Sequence, residues 1–226
     1  KILFETLPNS QKNVYSEDKM RDYEHVPTFV GKSQMGLGKT IKLLEYLQQY
    51  FPDNEIEKPI IRYITFRKTF SRVIKEKFTD FTLYSDIRGD IKHEDVHRLI
   101  IQVESLHRIV LSPFPDPIDL LILDEIESII FQFNSGLHKS FNESWSLFQW
   151  MLKTAKYVVL LDANLTDRTF KLLKKLRPDH EIFFHWNKYE KAKDDTYIFT
   201  TYHSSWLEKM HNDVINGKKI VIPSNS

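Results

Sequence analysis

Ser33-Gln34-Met35-Gly36-Leu37-Gly38-Lys39-Thr40 is the stretch on which the reading of this chain turns. It matches the general phosphate-loop pattern G-x-x-x-x-G-K-[ST] except that Ser33 replaces the first glycine. Small residues let backbone N–H groups curl around phosphate oxygens. Lys39 reaches toward the outer phosphates, and the Thr40 hydroxyl suits a Mg²⁺ ion. The helix that opens there favours anions at its N-terminus. Ile41, Leu43, Leu44 and Leu47 supply that helix with an apolar face, and an apolar run, 28–30, precedes the loop. The strand–loop–helix context is therefore present, which a chance glycine turn before Lys-Thr lacks.

Working outward, short apolar runs alternate with helix-period segments. The runs fall at 28–30, 60–66, 98–103, 120–123, 157–161, 181–185, 196–200 and 219–222; the helical segments fall at 39–50, 70–78, 141–154 and 167–176. Several runs are continuously apolar, as parallel strands buried on both faces are. The order predicts an α/β fold with a mostly parallel sheet and helices on both faces. Residues 1–26 read as a polar lead-in with a short helix near 16–23, and 177–195 as loop around one short strand.

The run 120–123 ends in Asp124-Glu125. Carboxylates at a strand's C-terminal end face the crevice where open α/β sheets bind ligands. Asp124 is placed to complete a Mg²⁺ shell, and Glu125 to orient and deprotonate an attacking water.

Composition bounds the partners. The formal net charge is +1 over 226 residues, so nucleic-acid contact must come from local charge and not from a basic tail. There is no cysteine, which excludes disulfides and thiolate metal sites. No apolar run approaches the roughly 20 residues that span a bilayer. The chain opens on Lys1 and stops soon after the apolar run 220–223; both ends read as cut from a longer protein.

Gln34 to Thr40 together with Asp124-Glu125-Ile126-Glu127 resembles motifs I and II of superfamily 2 helicases. Tyr63 to Phe70 stands where motif Ia falls, and Leu160-Leu161-Asp162-Ala163-Asn164-Leu165 where motif III falls. With Gln102-Val103-Glu104-Ser105-Leu106-His107-Arg108, the Asp-Ala form of motif III is similar to the replication-origin-binding helicases of herpesviruses and their relatives in other large DNA viruses. Residues 218–224 look like the first strand of a second motor domain. Asn164 departs from the usual Thr, and no glutamine motif for adenine is evident.

The resemblance implies a RecA-like P-loop NTPase: a first motor domain at 27–205 and the start of a second at 206–226. It implies an ATP-dependent DNA helicase of viral replication that uses ATP and Mg²⁺. Gln34, Gly36, Gly38, Lys39 and Thr40 then hold nucleotide, Asp162 and Asn164 sense its γ phosphate, and Thr40 and Asp124 hold the metal. Lys39 and Glu125 are the catalytic pair. Thr65, Phe66, Arg67, Ser105 and His107 line the nucleic-acid track. Replication proteins are the implied partners, inside the host nucleus or a cytoplasmic replication site. Motifs V and VI lie beyond Ser226 in such proteins, so the arginine finger is expected outside this chain and hydrolysis by the chain alone is expected to be poor. A duplex translocase of the chromatin-remodelling type and a nucleotide-gated binding module without unwinding are the rival readings.

His93-Glu94-Asp95-Val96-His97 matches the H-E-x-x-H zinc motif. It runs straight into the strand-like 98–103 and has few apolar residues, so zinc is set aside. Residues 171–177 read as a solvated basic helix face, and Trp145, Leu147, Phe148 and Trp150 as a packed one.

Overall fold

The computed structural model describes residues 2–7, 27–53, 58–136, 140–189 and 203–217; for residues 2–7 and His203 it describes backbone only. The chain divides into two compact units, Lys1–Lys191 and Ala192–Ser226. In the second, the described residues form one helix over His203–Ile215, a segment that sequence reading left unassigned. The runs 196–200 and 219–222 and the helix near 16–23 lie outside the described residues.

The first unit is built on an eight-stranded parallel sheet in the order β1-β10-β2-β9-β8-β3-β6-β4. The strands are β1 (Ile2–Leu7), β2 (Thr28–Lys32), β3 (Ile61–Thr65), β4 (Thr82–Leu83), β6 (Arg98–Gln102), β8 (Leu120–Asp124), β9 (Tyr157–Asp162) and β10 (Ile182–Asn187). Two short strands, β5 (Ile91–Lys92) and β7 (Ile109–Val110), pair separately. The helices are α1 (Lys39–Tyr50), α2 (Lys68–Lys77), α3 (Ile126–Gln132), α4 (Phe141–Thr154) and α5 (Asp167–Leu176).

All five residues of β3 and of β8 are buried. Helices on both faces explain why these strands are buried along their whole length and do not alternate with exposed residues. The lead-in contributes an unexpected edge strand: β1 pairs in parallel with β10. β10 is therefore an interior strand between β1 and β2, although its flanks read as loop. The short strand read at 181–185 is present as Ile182–Asn187; its interior place comes from partners distant in sequence.

The chain leaves β2 and returns at β3, three places along the sheet with β9 and β8 between them. The C-terminal ends of β2, β9, β8 and β3 thus share one edge, the crevice position for ligands of open sheets. Two arginines are sealed inside the first unit, and among the described residues neither is hydrogen-bonded to a carboxylate. Arg62 donates to the carbonyls of Ile61, His97 and His93 and to His93 Nδ1. Arg177 is 1% exposed and donates to the Leu152, Ala155, Pro27 and Lys156 carbonyls and to Thr28 Oγ1. It does not belong to the solvated basic face assigned to 171–177; it ties the ends of α4 and α5 to the start of β2. Burial lowers both guanidinium pKa values, to about 9 for Arg62 and about 10 for Arg177. Both remain charged at neutral pH, with carbonyl dipoles in place of water.

Candidate nucleotide and nucleic-acid site

The loop after β2 turns through two glycines in the left-handed region, Gly36 at φ 75° and Gly38 at φ 85°. Gly38 is the N-cap of α1, and its positive φ requires glycine although open space surrounds it. The Lys39 ammonium folds back onto the loop, donating to the Ser33 carbonyl at 2.7 Å and the Gln34 carbonyl at 3.2 Å. These carbonyls stand in for the phosphate oxygens that a P-loop lysine serves. Ser33 N–H donates to the Asp162 carbonyl at 3.1 Å, which fastens the loop to the end of β9. Gln34 and Gly36 are exposed, and Thr40 is half-buried.

Asp124 ends β8 at 2% exposure. The Tyr63 hydroxyl, reaching across from β3, donates to Asp124 Oδ2 at 2.8 Å. Burial and the neighbouring Asp124 carboxylate hold the Tyr63 pKa well above its ordinary value, so it stays a donor. Burial raises the Asp124 pKa, opposed by the Tyr63 hydrogen bond and the Lys39 charge. Glu125 is pushed up to about 7 by burial and then by the charges of Asp162 and Asp124. It adopts φ 62° and ψ 55°, and among the described residues it alone is a non-glycine with positive φ. Such a backbone costs about 1–3 kcal/mol and is held by its surroundings, here by Glu125 N–H donating to the Leu161 carbonyl at 2.8 Å.

Crowded carboxylates, whose charges raise the pKa values of Asp124 and Glu125, suit a divalent cation, whose charge reverses that penalty. The donor set fits Mg²⁺: hard oxygens from Asp124 and Thr40, beside a loop shaped for phosphate.

Asp162 is 2% exposed and accepts from Glu127 N–H at 2.8 Å and Asn164 N–H at 2.7 Å. Its carboxylate joins the two loops, while the Asn164 side chain is exposed. Glu127 is the residue that sequence reasoning gave no role. Its Oε1 accepts from Thr166 N–H at 2.9 Å, Thr166 Oγ1 at 2.8 Å and Thr169 Oγ1 at 2.5 Å; its Oε2 accepts from Arg168. Burial opposes its ionisation, but the bonds from Thr169, Thr166 and Arg168 outweigh burial and hold the carboxyl below its usual range. Tyr63 was missed as well; a tyrosine in the middle of a strand beside the Asp124 strand was the available signal.

The nucleic-acid candidates separate by exposure. Thr65 is fully buried, with its hydroxyl hydrogen-bonded to Ser71 at 2.6 Å, so it faces the interior. Phe66 is half-buried, beside Phe70 at 5.7 Å, and the exposed Arg67 lies over its ring at 5.2 Å. Ser105 is half-buried and His107 exposed on the 3-10 turn Val103–Arg108.

The H-E-x-x-H segment forms turns, not a helix. His93 is fully buried, with Nδ1 3.0 Å from Arg62 and Nε2 2.9 Å from the Asp116 carbonyl. Nδ1 accepts from Arg62 and Nε2 donates to the Asp116 carbonyl, so both ring nitrogens are engaged within the protein.

Against known families, the model described as "Origin of replication binding protein" matches residues 18–216. The chain belongs to that family. An African swine fever virus protein (strain Badajoz 1971 Vero-adapted), named for a helicase/primase complex, is 53% identical over 226 residues, covering 100% of this chain and 21% of the viral protein. The replication origin-binding protein of human herpesvirus 6B (strain Z29) is 34% identical over 188 residues, covering 79% of this chain and 22% of that protein. The chain thus spans about a fifth of the length of these family relatives. Among solved structures, Mss116p bound to ssRNA and AMP-PNP aligns with a TM-score of 0.50 at 10% identity, over 82% of this chain and 47% of that one. That likeness shows the fold, a RecA-like domain. Among the described residues no helix is long and apolar enough to cross a membrane.

Proposed function

We propose that this origin-binding-family chain is the ATP-binding first motor domain of a DNA helicase acting in viral DNA replication, inside the infected cell. The observation that carries the reading is the meeting of Lys39, Asp124 and Glu125 at one sheet edge, with the Lys39 charge acting on both carboxylates. Lys39 exchanges the Ser33 and Gln34 carbonyls for phosphate oxygens. Thr40 and Asp124 hold Mg²⁺, which supplies charge neutralisation at the phosphates. Glu125 orients a water and takes its proton; the oxygen bonds to the γ phosphorus, and the bond to the β-phosphate oxygen breaks to release ADP. Asp162 and Glu127 carry the state of this site into the loop before α5. Domain boundaries near 205 and nucleic-acid contacts by Phe66, Arg67, Ser105 and His107 belong to the same proposal.

The test is Lys39→Ala in the full-length protein. Nucleic-acid-stimulated ATPase and strand displacement are expected to be lost together. Full retention of stimulated ATPase would overturn the motor reading. Hydrolysis on duplex without displacement in the unmodified protein would favour a translocase instead.

A further inference from the structure

The C-terminal end of β10 presents an aromatic residue that the nucleotide site does not use. Trp186 is 39% exposed and stands in register with Lys32, the last residue of β2 before the phosphate loop. The Lys32 ammonium lies 5.0 Å from the indole centroid, and the Lys188 ammonium 4.7 Å from it. Lys32 also donates to the Leu165 carbonyl at 3.4 Å, which places this cluster against the loop that follows β9. Among the described residues neither lysine is paired with a carboxylate.

We infer that Trp186, Lys32 and Lys188 form a second single-stranded nucleic-acid contact, in which a base stacks on the indole and the ammonium groups meet the flanking phosphates. This rests on the helicase reading above and adds a site to it.

Three features favour that occupant. An exposed indole offers the sequence-tolerant stacking face that single-strand binders use. Exposed cation–π contacts are weak, so a lysine yields the ring to a base and turns to phosphate. Among the described residues neither charge meets a carboxylate, which leaves a positive spot beside the indole. Position adds a fourth. The Phe66–Arg67 pair lies just past β3 on the same sheet edge, four strands from β10. At about 4.8 Å per strand the two platforms are about 19 Å apart. That span matches about six nucleotides at about 3.4 Å each, and fewer where the strand is stretched. A duplex offers no free base faces, and an acidic peptide has no need of the indole.

The experiment uses the full-length protein, a fluorescently labelled dT20 oligonucleotide, the corresponding duplex, and polyglutamate as competitor. Trp186→Ala is expected to weaken dT20 binding about 5- to 100-fold, the range for loss of one stacked base. Lys188→Ala is expected to reduce the slope of log affinity against log salt by about 0.7, the value for one phosphate contact on a single strand. Trp186→Phe, which keeps a ring, is expected to retain most of the affinity while removing most of the tryptophan-emission quenching that dT20 causes. Trp186→Ala binding within twofold of the unmodified protein, or unchanged quenching in Trp186→Phe, overturns the inference and leaves the helicase reading standing. Displacement of dT20 by polyglutamate at matched charge assigns the patch to an acidic protein and overturns it too. Failure of the unmodified protein to bind dT20 at all defeats the helicase reading, and this site with it.

Discussion

At the scale of single residues, this site is organised by groups of like charge held close together. The Asp162 charge raises the proton affinity of Asp124 and of Glu125, Asp124 adds to the rise at Glu125, and the Lys39 charge opposes both shifts. Glu125→Gln keeps the size and the left-handed backbone but cannot take a proton. Its turnover is expected to fall about 10²- to 10⁴-fold with nucleotide affinity retained, measured as single-turnover hydrolysis beside equilibrium binding. His93 has a different consequence. Burial, then the Arg62 charge, lowers its pKa. The unfolded imidazole takes a proton near pH 6.5, whereas the folded one does so only at lower pH. The unfolded state therefore binds more protons as pH falls below about 6.5, and stability falls with it, by at most about 1.4 kcal/mol per pH unit from this group. Denaturant unfolding between pH 7 and 5.5 checks this. His93→Gln, which can still accept from Arg62 and donate to the Asp116 carbonyl, is expected to lose less stability over that interval.

At the scale of elements, Glu127 on α3 holds the N-terminal turn of α5 through Thr166, Arg168 and Thr169. Its own N–H is held by Asp162 at the end of β9. The end of β9 and the starts of α3 and α5 are thereby tied together by two carboxylates, Asp162 and Glu127. Glu127→Ala leaves the buried Thr169 hydroxyl and the Glu127-facing backbone of Thr166 without an acceptor. A loss of about 1.5–3 kcal/mol is expected, the scale of hydrogen bonds to a charged group. Arg168 is 44% exposed, so its ion pair adds little. The melting temperature is expected to fall about 3–12 °C, at roughly 2–4 °C per kcal/mol for a chain of this size. Elements also show how legible the fold was. α1, α4 and α5 follow the periodicity of their apolar residues to the residue, because an amphipathic face is a local pattern. β1 and the interior position of β10 were not legible, because parallel pairing joins segments at opposite ends of the unit.

At the scale of the whole molecule, nucleotide binding is coupled to the stability of the first unit. In the structure Lys39 rests on its own loop, and a ligand that binds only the folded state stabilises it by mass action. At a nucleotide concentration of about 100 Kd the gain is about 2.7 kcal/mol, a rise of roughly 5–11 °C in melting temperature. Differential scanning calorimetry with Mg²⁺ and a non-hydrolysable ATP analogue measures it, and Lys39→Ala is expected to abolish the shift. A full shift in that variant would separate nucleotide binding from the loop described here.

The sequence by itself determined the phosphate loop, the Asp124-Glu125 pair and the alternation of strands and helices. Each depends on residues close together in the chain: glycines where φ must be positive, a lysine at the helix start, carboxylates ending an apolar run. Only the tertiary structure decided that Tyr63 grips Asp124, that Asp162 and Glu127 join two loops, that Thr65 faces inward, and that Arg62 and Arg177 are buried on carbonyls. These are contacts between segments about 20 to 150 residues apart, as parallel crossover connections require. No local pattern encodes them, since a buried arginine and an exposed one look alike until the sheet closes over one of them.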